Sequence, residues 1–415
     1  MACALLYSTY TSANREPMMY AQSPMQSPYR ESTPLLYPLF RPVILPLDLI
    51  GHPAPCDIFS ARGTLVVKTG ALISQRAHDL MQPQHIFCQA EQAHYISTLD
   101  PIEELKRVSL ALSDVSERVV RGASVTSGEL IALARQVLEI WFLDADACLG
   151  FARLSKFGPP SVCHEIHTAL LAAELASAQG FKHDMIENVI GAALTMNLAK
   201  LALHDEMFNL EGFPSTEMRQ EMRAHPAESA LLLRGIGNLS EHWIEAVAAH
   251  HENIDGSGYP QGLKGASISL PARMLRVADT LAARLTGRKV RPPQHWNMHY
   301  ARGDENHWAA HVFGADLRRM DGSLCHKLLR ALTRFPPGSL VRLSNNELAV
   351  VTRRLPDLTL APRTVYAVSD THGKPLPSPC VRRIRSRHCE IRAYAHDALP
   401  KLIDVDWQKA WGYGC

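Results

Sequence analysis

The stretch HHENIDGSGYP, residues 250–260, concentrates the residue types most able to do chemistry. His250, His251 and a glutamate are followed by Asp255 and a glycine-rich turn that ends in Tyr259-Pro260. Gly256 and Gly258 can take backbone angles barred to other residues, and Pro260 stiffens the exit while restricting Tyr259. Imidazoles and carboxylates beside such a turn suit metal or phosphate chemistry. The plain alternative is a helix end carrying ordinary polar residues.

More candidate ligands stand in or at the ends of separate segments: His164, His225 and Asp279. Nitrogen and carboxylate ligands together suit Fe, Mn, Zn or Ni better than a soft copper site. A metal held this way would polarise a phosphoryl oxygen and lower the pKa of bound water. Composition cannot bring these residues together; taken singly, each histidine is more often structural or exposed than a ligand.

Helices must do the positioning. Apolar residues recur at helical spacing in SVCHEIHTALLAAELASAQG, HDMIENVIGAALTMNLAK, STEMRQEMRAHPAESALLLRGIG, SEHWIEAVAAHHE and SLPARMLRVADTLAARLTGRKV. Five helices with short connections predict an all-helical domain whose facing side chains can share one cavity. Pro226 is read as lying near a second helical start within the third. Upstream, Ser127 with Glu129 marks a helix start without a full capping box. The fold class expected is mainly α, a helical bundle with small β-rich N- and C-terminal appendages. The expected organisation is a disordered or loosely packed leader over 1–45 and a small β-rich module over 46–95. A helical linker follows over 96–160, the helical domain over 161–336, a small β-rich appendage over 337–400 and a tail over 401–415.

Composition bounds the rest. The chain has 415 residues and a formal net charge of +2, which gives no global case for binding DNA. Nine cysteines form no CxxC pair, which argues against a zinc knuckle and suits a reducing cytoplasm. The most apolar early stretch contains an arginine and three prolines, so no membrane span is expected there.

Residues HHENIDGSGYPQGLKGASISLPARMLRVAD, with the upstream KLALHDEMFNLEGFPSTEMRQEMRAHPAES, resemble the HD-GYP family, a branch of the HD superfamily, over about residues 160 to 292. Members are generally metal-dependent phosphodiesterases that hydrolyse cyclic di-GMP in bacteria. The resemblance places metal ligands on His164, His225, His250, His251 and Asp279, with His167 a competitor for the first. It places substrate or nucleotide contacts on Gly258, Tyr259, Pro260, Arg288 and Arg291. The family's His-Asp pair is replaced by Met196-Asn197, while the following Lys200, a catalytic candidate in an active enzyme, is kept. Pro160 stands where members with a third metal carry a glutamate. Neither His183-Asp184 nor His204-Asp205 can take the lost pair's place without shifting a helix.

The resemblance implies a degenerate member in cyclic di-GMP signalling that binds the nucleotide or a partner protein with little or no hydrolysis. One divalent metal (Fe, Mn or Zn) or none would be bound. A signalling protein could dock on the Gly-Tyr-Pro loop, and a homodimer is open. The alternatives are a working phosphodiesterase with a mononuclear site and a structural scaffold for the flanking modules.

Overall fold

The computed structural model describes residues 40–43, 45, 49–60, 63–81, 86–89, 100–286, 305–354, 362–384, 389–402 and 405–413. The 1–39 part of the expected leader, Arg288 and Arg291 lie outside them.

The bundle is built on α4 (Pro160–Ala178), whose residues from Ser161 to Ala176 are nearly all buried. A helix apolar on every side must sit inside others. Around it pack α2 (Pro101–Val120), α3 (Ser127–Leu154), α5 (His183–Thr195), α6 (Leu201–Asn209) and α9 (Leu270–Thr286). On α5 lies α8 (Glu241–Ala249), which also meets α7 (Thr216–Ile236) and α9. Gly191 on α5 makes the first contact possible: a Cβ there would stand 2.2 Å from the Trp243 ring of α8. Farther along come α10 (Glu305–Phe313) and α11 (Gly322–Leu332), and α11 packs on α4.

Local chemistry explains the ends of these helices. Asp100 caps α2 by accepting from the Ile102 and Glu103 amides. Helix α3 starts at Ser127 as expected, but on a full capping box that the preceding Thr126 makes with Glu129. Helix α7 runs unbroken through Pro226, so the second start expected there does not occur.

Of the linker expected over 96–160, the described residues 100–160 do not span between modules. The apolar faces of α2 and α3 share one core with α4, α5 and α9, because Ile102, Leu105, Val108 and Leu112 fall on a single buried stripe.

The N-terminal sheet has strands β1 (Phe40–Val43), β2 (Ile58–Ser60), β3 (Leu65–Val67) and β4 (Ile86–Gln89), in the order β1-β4-β2-β3, with α1 (Gln75–Met81) alongside. It has its own small core of Val43, Ile58, Ile73, Met81 and Ile86. The C-terminal sheet is antiparallel, in the order β8-β7-β6-β5-β9, over β5 (Ser339–Leu343), β6 (Leu348–Val351), β7 (Thr364–Ser369), β8 (Pro375–Arg383) and β9 (Ile391–Tyr394). Alternate residues of β6 divide between two cores, as a strand buried on both faces requires. Leu348 and Val350 join the bundle, while Ala349 and Val351 pack with Phe335 and Val365.

The described residues of the expected 401–415 tail join the core. They form a short helix, α12 (Trp407–Ala410), and then bury Trp411 against α3. The indole donates to the Thr352 carbonyl at 2.9 Å, and a Cβ on Gly150 would meet its ring at 2.0 Å. The Tyr413 hydroxyl donates to Asp144, which also receives Arg353 and stands where α3 departs from helical angles.

Beside the candidate ligands, Glu165 of α4 is fully buried and its carboxyl oxygens make no hydrogen bond of normal geometry, the Asn197 amide only partly offsetting the burial. Burial pushes its pKa well above the carboxylate range. Replacing Glu165 with leucine is expected to stabilise the metal-free protein by about 1–3 kcal/mol, the usual penalty of an unsatisfied buried polar group. Urea unfolding measures this, and a lower midpoint in the variant would contradict it.

Candidate metal centre

The three histidines His225, His250 and His251 come together although they are far apart on two segments. Their ligand atoms all lie within 4.8 Å of one another, the only group of three or more among the described residues. His225 projects from α7, His250 caps α8 and His251 follows it. The Nε2 atoms of His225 and His250 are 3.0 Å apart. Each ring uses its Nδ1 on a main-chain carbonyl three residues earlier: His225 on Met222, and His250 on Val247 at 2.7 Å. Such bonds fix the tautomer that leaves Nε2 to face a metal. The residues therefore fit a divalent metal.

Beside the triad, Asp279 of α9 links two histidines. Its Oδ1 lies 2.9 Å from His164 Nε2 and its Oδ2 lies 4.0 Å from His251 Nδ1. Although burial opposes it, the His164 hydrogen bond helps hold the Asp279 carboxyl well below its ordinary pKa. His167 is buried one helical turn away and is not in the triad. Met196 and Asn197 are buried at the junction of α5 and the turn leading to α6.

Of the two alternative His-Asp pairs, His204 is the closer. Its ring lies 5.3 Å from that of His164, centroid to centroid. Asp205 serves α4 instead, accepting from the Ser161 amide and hydroxyl at 2.7 and 2.9 Å. His183 packs on Phe142, away from the ligands. Lys200 is turned to α7, where its amine meets Glu221 at 3.0 Å and Glu228 at 3.3 Å.

The glycine-rich loop forms one wall. Gly256 takes a left-handed φ of 84°, and Gly258 has no room for a side chain, since a Cβ would stand 2.3 Å from the Asn253 amide. Tyr259 stacks on His251 with centroids 4.8 Å apart, and the Arg223 guanidinium lies 4.7 Å above the Tyr259 ring. Glu252 pins the loop by accepting from the Gln261, Gly262 and Leu263 amides at 2.7, 3.0 and 3.0 Å. Arg223 was not singled out from the sequence, and Glu252 was noted only as part of the 250–260 stretch, with no role in holding the loop. The only available signal was their nearness to His251 and His225.

Burial keeps the imidazoles neutral. It lowers the pKa of His225 and of His167 to about 3, that of His250 below its usual value and that of His251 well below it. A depressed histidine contributes stability that is full above about pH 6.5 and is lost as pH falls toward the folded value. Glu165 has the opposite sign, its raised pKa costing stability as pH rises above about 4.5. Four histidines outweigh one glutamate, each losing up to about 1.4 kcal/mol per pH unit. The urea midpoint of metal-free protein is therefore expected to fall between pH 7.5 and 5.5; a flat profile would contradict the buried neutral assignment.

The family model described as HD domain matches residues 147–301. The chain is 26% identical over 286 residues to a cyclic di-GMP phosphodiesterase of Pseudomonas aeruginosa, covering 67% of each chain. It is 33% identical over 133 residues to the cyclic di-GMP phosphodiesterase response regulator RpfG of Xanthomonas campestris, covering 32% of this chain and 34% of the other. A 3'3'-cGAMP-specific phosphodiesterase of Vibrio cholerae is 30% identical over 128 residues, covering 31% of this chain and 30% of that one. These last two matches span only about a third of the relatives' length. A solved HDG"Y"P protein from Bdellovibrio bacteriovorus aligns with TM-score 0.42 and 14% identity, over 70% of this chain and 98% of that chain. The helical bundle of this chain thus carries an HD domain and is similar in sequence to cyclic di-GMP phosphodiesterases.

Proposed function

We propose that this chain acts in cyclic di-GMP signalling by binding the nucleotide over a one-metal site, with little or no hydrolysis. The observation that carries this reading is the pairing of a complete three-histidine group with Met196-Asn197 at the position of the family's His-Asp pair. A neutral amide bridges metals poorly, and a thioether suits hard or borderline metals poorly. One divalent metal, Fe, Mn or Zn, is held by His225, His250 and His251. His164 and Asp279, paired with each other, are left with too few partners for a second.

The metal supplies Lewis acidity toward a phosphoryl oxygen. The protein's own groups do the rest. The Met222 and Val247 carbonyls set the tautomers of His225 and His250. Tyr259 walls the site beside Gly258 and Pro260, and Arg288 and Arg291 are assigned to the nucleotide phosphates. Pro260 is exposed, which supports the Gly-Tyr-Pro loop as an edge for a protein partner.

A mononuclear phosphodiesterase is the second reading, favoured by Asp279, whose carboxylate connects His164 to the triad. Elemental analysis of reconstituted protein, with titration and turnover of cyclic di-GMP and of 3'3'-cGAMP, separates the two. The first reading predicts about one equivalent of metal, saturable nucleotide binding and negligible turnover. Rapid turnover would replace it with the second, and absence of saturation would end the binding proposal. The candidate span at 183–209 does not alter this reading, since 67% of its apolar window is buried in the protein.

A further inference from the structure

We infer that Pro226 is a positioning residue for the metal centre, and that its role is the backbone N–H it lacks. The inference rests on the proposed three-histidine metal site. In an α-helix each carbonyl accepts from the amide four residues later. The Met222 carbonyl would therefore accept from residue 226, but proline has no N–H to give. Helix α7 continues through Pro226 all the same, from Thr216 to Ile236. Its Met222 carbonyl is taken instead by Nδ1 of His225. The substitution of one donor for another keeps the carbonyl satisfied and turns an imidazole into a fixed group.

The neighbouring ligand supports this by an independent route. His250 makes the same bond to the carbonyl three residues before it, Val247, at 2.7 Å. There the carbonyl belongs to the last turn of α8, which ends at Ala249, and final carbonyls of a helix have no intrahelical donor. Two ligands are thus oriented by orphan helix carbonyls. The end of the helix orphans one, and a proline in mid-helix orphans the other. The two rings then present their Nε2 atoms to each other at 3.0 Å. Both imidazoles are buried, so no water can replace the carbonyl without opening the core.

The proposal makes stability and metal affinity move in opposite directions. Pro226→Ala restores the N–H and suits a helix interior far better than proline, so its melting temperature should not fall. Its cobalt or zinc affinity should fall roughly 10–100-fold, the usual effect of losing an outer partner of a metal-bound histidine. Pro226→Gly also restores the N–H but weakens the helix. Its metal affinity should match that of the alanine variant while its melting temperature is lower. A merely structural role would make affinity follow stability.

Metal-free protein gives a second reading through the ring nitrogens of His225, followed by 15N NMR and assigned with His225→Gln. Wild type should show a single tautomer with the proton on Nδ1, and Pro226→Ala a mixture. If wild type takes up no cobalt, the metal site fails while the tautomer still decides whether Pro226 orients His225. Unchanged cobalt affinity in Pro226→Ala, or a His225 tautomer the substitution leaves single, overturns the proposal.

Discussion

His250→Ala is expected to empty the metal centre. His250 is fully buried, its Nδ1 is fixed by Val247 and its Nε2 meets that of His225. Removing it leaves His225 and His251, two ligands where a stable zinc site has at least three from the protein. The loss should exceed the roughly 10–100-fold typical of an outer-shell partner. Calorimetric titration with zinc, or the absorption of the cobalt-substituted protein, measures it. Variants of His164 separate the two readings of the site. If a single metal sits in the triad, His164→Ala leaves stoichiometry at about one equivalent, because His164 serves Asp279 rather than the metal. A fall in stoichiometry with His164→Ala would place metal between His164 and Asp279 as well.

Arg354→Met is expected to be the most damaging change outside that centre. The Arg354 side chain, 17% exposed, lies between α3 and α4, with Nε 2.5 Å from Asp146 and its two terminal nitrogens 2.6 and 3.0 Å from Glu174. Glu174 also receives the Trp141 indole at 3.0 Å. Removing the cation strands two carboxylates in a region of low dielectric, and breaking such a buried network costs about 3–5 kcal/mol. By contrast, the exposed pair of Arg121 with Glu117 should cost less than about 1 kcal/mol when broken. Urea unfolding of Arg354→Met and Arg121→Ala compares them directly. Similar small losses in both would mean that the buried network is no stronger than a surface one. Adding Asp146→Asn and Glu174→Gln to Arg354→Met should recover much of the loss, since no unpaired charge then remains.

The helices were legible because their pattern is local. An apolar residue every three or four positions is enough to call α4, α5, α8 and α9, and the histidines could be assigned to their ends. Starts were less legible. Thr126 and Ser127 both suit a cap, and only the bonds between Thr126 and Glu129 choose between them. Pro226 looked like a start because proline favours the first turn, yet here a histidine side chain replaces the amide it lacks. The part hardest to read was tertiary. Nothing in the spacing of Arg353 and Arg354 announces that they pair with Asp144, Asp146 and Glu174 about two hundred positions earlier. The loop glutamate was similarly hidden, for Glu252 matters through three amides that any sequence supplies.

Trp411 on Gly150 has a consequence for biosynthesis. As the chain emerges from the ribosome, α3 is complete long before the indole that covers it, and Tyr413 and its partner Asp144 are 269 positions apart. The nascent bundle must carry an open seam along α3 until Trp411 and Tyr413 have been made. Closure across so long a loop is slow compared with forming the helices themselves. A chaperone that shields apolar surface during synthesis would find its binding site at that seam, and a ribosome stalled before codon 411 would display it for as long as the stall lasts.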